Sequence, residues 1–245
     1  MCWWSIISRL FILLLITVLT ACSGSPGVKE TPLGFDQEEA QSWRRVKFRL
    51  QWPDGEDPDF SYHLLIADQI LFPVLESHDE NISLWRFHRR AARDKAGHQF
   101  SFIYYSDGRA ESEIKEQINQ NPVVSGLKEV GVLKNLLFTH SQKEEATLIE
   151  FTSDPDWPLE IQKSWPIFIM GVSHSWLDLI QREQEGTQET SYISIVEMLF
   201  YYKQLNERVV DLWGEFGRHA YFHHLNAVFG YSPVYIKETG QWQGF

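Results

Sequence analysis

Ile82-Ser83-Leu84-Trp85-Arg86-Phe87-His88-Arg89-Arg90 and Gln99-Phe100-Ser101-Phe102-Ile103-Tyr104-Tyr105-Ser106-Asp107 are both rich in strand formers, and a polar loop ending in Gly97 separates them. Successive strand side chains point to opposite faces. Leu84, Arg86 and His88 therefore alternate against Trp85, Phe87 and Arg89, while Phe100, Phe102 and Tyr104 share one face of the second run. The pair predicts an antiparallel hairpin. Upstream, Val46, Phe48 and Leu50 alternate with Lys47, Arg49 and Gln51, which predicts another half-buried strand over 43–52. Residues 53–59 form a turn-rich acidic loop without the ligand spacing of a calcium-binding EF-hand, and Asp59 is placed to cap the next helix. Leu64, Leu65, Ala67, Ile70, Leu71 and Leu75 then recur at helical spacing, with Pro73 placed to kink or end the run.

Downstream, Ile114 and Ile118 mark a helix over about 109–119, and Val123 to Val130 a second helical turn before Gly131. Val132 to His140 reads as a strand, and Ala146 to Thr152 as its partner across Ser141 to Glu144. The expected class is α+β with an antiparallel sheet of about five strands. Its order resembles the ferredoxin-like split βαβ sandwich, a resemblance of fold that implies no activity. From residue 154 the pattern turns helical: 167–181 after Pro166, 192–216 as the clearest helix, and 218–229. The expected layout is 43–153 as the α+β part and 154–245 as a helical part packed on it in one continuous unit. No internal repeat is evident.

The 245 residues carry Lys+Arg 22 against Asp+Glu 33, a formal charge of -11, and 14% of them are aromatic. So many aromatics exclude a disordered chain. The acidity argues against a nucleic-acid partner, since such binding needs a cationic surface. The chain has Cys 2, at Cys2 and Cys22. Neither a cysteine-based metal site nor an intramolecular disulfide is expected in a mature chain that begins at Cys22.

That processing is read from the N-terminus. Leu10 to Leu19 is an apolar run broken by Thr17, of a size that suits a signal peptide. Leu19-Thr20-Ala21-Cys22 ends it and resembles the lipobox of bacterial lipoproteins. The resemblance implies cleavage after residue 21, a diacylglycerol on the Cys22 thiol, usually a further N-acyl chain such as palmitate, and residues 22–42 as a lipidated tether. Ser23, in place of the aspartate of inner-membrane retention, implies the outer membrane, facing the periplasm. Several acyl chains make such an anchor stable.

Candidate chemistry is sparse. Arg90, Arg93 and Lys95 form the dense positive patch at the hairpin tip, an anion-binding candidate; Arg44, Arg45 and Lys47 extend it if their strand lies alongside. His219 and His223, with Glu215, recur at i,i+4 on one helical face, a spacing compatible with metal. Completion would require a residue such as His174 or Asp178, and no metal is expected there. Gly171-Val172-Ser173-His174-Ser175 lacks the closing glycine of a nucleophile elbow. No phosphate-binding or dinucleotide-binding glycine loop occurs, and no cofactor is expected. The tryptophans, including Trp85, Trp165, Trp176 and Trp213, fall at core periods. The leading expectation is a binding or scaffold lipoprotein whose partners are the membrane and an anionic envelope component or a protein. The alternative is an envelope enzyme with a histidine site on the C-terminal helices.

Overall fold

Four strands form an antiparallel sheet: β1 (Ser42–Leu50), β2 (Leu84–Ala91), β3 (His98–Ser106) and β4 (Leu133–His140), in the order β2-β3-β1-β4. A computed structural model describes residues 40–185, 194–231, 233–236 and 240–243. All belong to one compact unit, Glu39–Phe245. The lipobox, Cys22 and the tether up to residue 39 lie outside the described residues.

Alternation sorts the sheet into two faces. Val46, Phe48 and Leu50 meet Phe100, Phe102, Trp85 and Phe87 on one side and are buried. Three helices cover that side. The first, α1, runs through Ser61–Ile66, a π turn at Ala67–Leu71 and Phe72–Ser77. The second and third are α2 (Gly108–Gln120) and α3 (Pro122–Glu129). Asp107 caps α2 by accepting from the Ala110 N–H, and Asn121 caps α3 by accepting from Val123. Asp59 accepts from the Ser61 N–H and hydroxyl, one position outside the cap residue Phe60.

The C-terminal region is mostly helical. The long α4 (Leu159–Glu185) lies along the β2 edge, where the Ser173 hydroxyl accepts the Phe87 N–H at 3.1 Å. That contact covers a sheet edge that would otherwise expose unpaired backbone. α5 (Ile195–Leu212) packs on α1 and continues through a π stretch, Trp213–His223, into α6 (His224–Val228). Three helices meet at Asp68, which is 5% exposed. Its carboxylate accepts from Gln69 Nε2 at 2.6 Å, Gln181 Nε2 at 2.9 Å and the buried Tyr202 hydroxyl.

Both helix-interior prolines are tolerated for the same reason. Proline has no N–H for the carbonyl four residues earlier. Behind Pro73 the Gln69 carbonyl accepts instead from Asn121 Nδ2 at 2.9 Å, and the widened π turn relieves crowding by the ring. Behind Pro166 the Gln162 carbonyl accepts from the Ser153 hydroxyl at 2.6 Å.

Three expectations need correction. The sheet has four strands, because the segment expected as the fifth is two 3-10 turns, Glu144–Thr147 and Ile149–Thr152. Side chains take its carbonyls: Trp43 Nε1 donates to Leu148 and Ile149 at 3.0 Å, and the Tyr105 hydroxyl to Thr147. Helix α4 begins at Leu159, seven residues before Pro166. A small hairpin, β5 (Val234–Ile236) with β6 (Gln241–Gln243), was not foreseen.

Candidate anion-binding face

The second face of the sheet carries its cations in two files. Register places Arg45 and Arg86 on either side of Ile103, Lys47 and His88 on either side of Ser101, and Arg49 and Arg90 on either side of Gln99. The β1 and β2 files stand two strand spacings apart, roughly 9–10 Å, and residues along each file repeat at about 6.7 Å. Between them β3 presents Ile103, Ser101 and Gln99, all buried, as the floor of a trough. At one end the 3-10 segment folds back onto β1; the opposite end runs into the hairpin loop.

Burial weighs most on the basic groups of this trough, and their mutual repulsion adds to it. Burial lowers Lys47, and Arg45 and Arg49 lower it further. Arg86 is pushed down to about 10 by burial first and then by Arg45, while burial alone lowers Arg45. His88 is lowered by burial, then by Arg86, Arg45 and Arg90. Among the described residues, Arg45, Lys47, Arg86 and His88 make no side-chain hydrogen bond or ion pair, and the buried Nε of Arg49 and of Arg86 have no partner. A chain with an excess of acids has left Arg45, Lys47 and Arg86 unmatched. Such an arrangement costs stability and suits an anion that arrives from outside.

The loop cations named from sequence stand at the rim. Arg90 is paired with Asp94 and also reaches the Gly97 carbonyl. Arg93 stacks on Trp52, its guanidinium carbon 3.5 Å from the ring centroid, and donates to the carbonyls of Trp52, Pro53 and Glu56. It also pairs with Asp54 at 3.4 Å, so it ties the acidic loop to the hairpin. Lys95 is exposed, and its carbonyl accepts from Arg49. Sequence reasoning missed the trough itself. Its signal was the period-two recurrence of basic residues in both strands; what it lacked was the long-range register that aligns them.

The histidines of the π stretch are not brought together with Glu215, His174 or Asp178. The His219 and His223 rings stack at 4.8 Å, His224 Nδ1 contacts the His219 carbonyl, and Glu215 is exposed. His174 lies beside Trp85 and Asp178 pairs with Arg182, both on α4. Among the described residues no three His, Cys, Asp or Glu side chains are grouped to hold a metal ion. The Ser173 hydroxyl donates to the Ile169 carbonyl at 2.8 Å, which makes it a structural group. Trp43 and Trp85 are buried as core residues, whereas Trp213 is 46% exposed and stacks on Tyr221. Gly217 lies under that stack, where a Cβ would come within 2.5 Å of the Trp213 ring.

A histidine pair that sequence reasoning did not single out sits under the covered face. His63 and His98 are buried, with ring centroids 4.8 Å apart. Arg89 Nε donates to His63 Nδ1 at 3.2 Å, which leaves the proton of a neutral ring on Nε2. His98 Nδ1 faces the Gln51 carbonyl at 3.3 Å, so its Nε2 is the acceptor. Neither Nε2 has a partner. Burial, then Arg89 and His98, hold His63 well below the ordinary range. His98 is lowered by burial against the raising effects of the Gln51 carbonyl and Asp59, with Arg89 opposing.

An acid-sensitive stability follows. The unfolded chain takes up more protons once the pH falls below about 6.5, the ordinary histidine value. The stabilisation is therefore complete above that value and declines below it, by up to about 1.4 kcal/mol per pH unit for each histidine. Urea unfolding between pH 7.5 and 5 will show this decline, and His63→Phe with His98→Gln will flatten it. An unchanged slope in the double variant contradicts the assignment.

A second cleft, of about 420 Å³, has the opposite sign: Glu56, Asp57, Asp59 and Glu207 line it against Lys203. Toward the C-terminus, Phe216 and Val228 on the helices and Phe229 and Tyr231 in the turn after them are exposed along with Trp213. Among the described residues no helix is long and apolar enough to cross a membrane. No protein-family model, curated protein or solved structure matches this chain.

Proposed function

We propose that this protein is a lipid-anchored binding module of the bacterial envelope, and that the trough between β1 and β2 holds an anionic envelope polymer. The carrying observation is the double file of basic residues, with Arg45, Lys47 and Arg86 unmatched among the described residues, in a chain of net charge -11. The period along each file suits an occupant with repeating charges laid parallel to the strands. The strand order, with α1 following β1 and α2 and α3 following β3, supports a ferredoxin-like split βαβ assignment, and that fold leaves one sheet face free of helices.

The lipobox supports the anchor, and the exposed Trp213, Tyr221 and Tyr231 are residue types that favour a membrane–water interface. Intact-mass analysis of the membrane fraction will show a chain beginning at acylated Cys22, and Cys22→Ser will abolish the modification. Full-length unmodified protein there contradicts the anchor. In neutral detergent the protein will retain polyphosphate and heparin, with binding that weakens from 50 to about 300 mM salt as screening shortens the reach of each charge. No retention of either polyanion at low salt contradicts the binding reading.

A further inference from the structure

At the Trp43 end of the trough a cavity of about 240 Å³ opens between the sheet and the 3-10 segment. Its floor is Arg45 and Thr139, direct neighbours across β1 and β4. Ser141 and Thr152 stand on its walls, and the Trp43 and Phe151 rings enclose it. Arg44 and His140 also reach it, but both contact the Glu111 carboxylate and are already committed to it. Arg45 brings the uncompensated charge.

The hydroxyls are equally uncommitted. Thr152 Oγ1 is buried without a partner. Ser141 Oγ accepts from the Lys143 N–H, which leaves its own hydrogen to donate. Thr139 makes no side-chain hydrogen bond among the described residues. Donors therefore line the cavity both from the sheet and from the covering segment. A planar carboxylate presents two oxygens, whereas a tetrahedral phosphate presents several at once and in different directions. The volume equals that of about eight waters, enough for a phosphate with an adjoining sugar or short chain and less than a drug-sized ligand needs.

We infer that this cavity binds the terminal phosphate of a phosphomonoester, with Arg45, Thr139, Ser141 and Thr152 as donors. The inference rests on the anion-binding reading of the same face and gives that face an end-group specificity. A sugar phosphate and a phosphatidic acid headgroup share this chemistry, and the test separates them.

The full chain in neutral detergent is titrated with glucose 6-phosphate, with vesicles containing phosphatidic acid or phosphatidylglycerol, and with long-chain polyphosphate. Thr152→Val and Thr139→Val are expected to weaken phosphomonoester binding about tenfold each, as loss of one hydrogen bond to a charged group would. Polyphosphate binding along the trough should change less than twofold. Thr152→Val removes an unpartnered hydroxyl at nearly constant volume, so its melting temperature should be equal or higher, which separates lost binding from lost folding. Binding of glucose 6-phosphate identifies a soluble ligand; binding confined to phosphatidic acid vesicles identifies a lipid headgroup, with phosphatidylglycerol as the phosphodiester control. Phosphomonoester binding that is absent, or unaffected by either variant, overturns the pocket while polyphosphate binding keeps the trough. Loss of both ligand classes from the unaltered protein overturns the broader reading as well.

Discussion

Arg45, Lys47 and Arg86 replaced together by glutamine will cost about 100-fold in polyphosphate affinity at low salt and will raise the melting temperature. The loss assumes about 1 kcal/mol for each contact with a phosphate, a modest figure for partly exposed charges. The gain in stability carries the sharper information. Lys47 and Arg86 are both lowered by burial and by cationic neighbours, so the folded state holds their charge less favourably than the unfolded chain does. For Arg86 that disadvantage is present at neutral pH and is relieved as the pH rises through about 10. Removing three mutually repelling charges should return roughly 1 kcal/mol, a rise of about 2–4 °C for a domain of this size. Weakened binding with increased stability marks a surface kept for its ligand. Lower stability together with unchanged affinity would make these cations part of the scaffold instead.

The largest structural effect is expected at Asp68. Asp68→Ala removes the acceptor shared by Gln69, Gln181 and Tyr202 at the meeting point of α1, α4 and α5. Leaving one buried and two half-buried donors without that acceptor costs about 3 kcal/mol, or roughly 6–12 °C in melting temperature. Tyr202→Phe, which removes one donor, should cost about 1–2 kcal/mol. Urea midpoints give both values. A change below about 1 kcal/mol for Asp68→Ala would show that water replaces the carboxylate without penalty.

The hairpin was legible because strand formers and a two-residue period coincide between Leu84 and Ser106. The α+β class, the β1 and β4 strands and the helical C-terminal region followed from the same local patterns. Residues 146–152 look equally strand-like, yet a strand also needs a partner for its backbone. Trp43, 105 and 106 residues away, and Tyr105, 42 residues away, took those carbonyls instead. Sequence spacing also gave the correct faces for Arg86 and His88 but could not bring Arg45 beside them, since β3 had first to insert between β1 and β2. For the same reason the tip residues Arg90 and Arg93 drew attention. They are close in sequence, but Asp94 lies four residues from Arg90, and the fold brings the carbonyls of the acidic loop and Asp54 to Arg93.

The Pro73 helix has a further consequence, for the order in which the chain can fold as it emerges N-terminus first. Its displaced carbonyl waits 52 residues for Asn121, and its acidic residue waits 113 for Gln181 and 134 for Tyr202. The first long helix among the described residues is thus sealed by some of the latest arrivals. Until α5 has appeared, α1 remains a frayed element that a protease or a holding chaperone can still engage. Chains that stop short of α5 should be cleared as unfolded protein rather than accumulate as a stable half-domain.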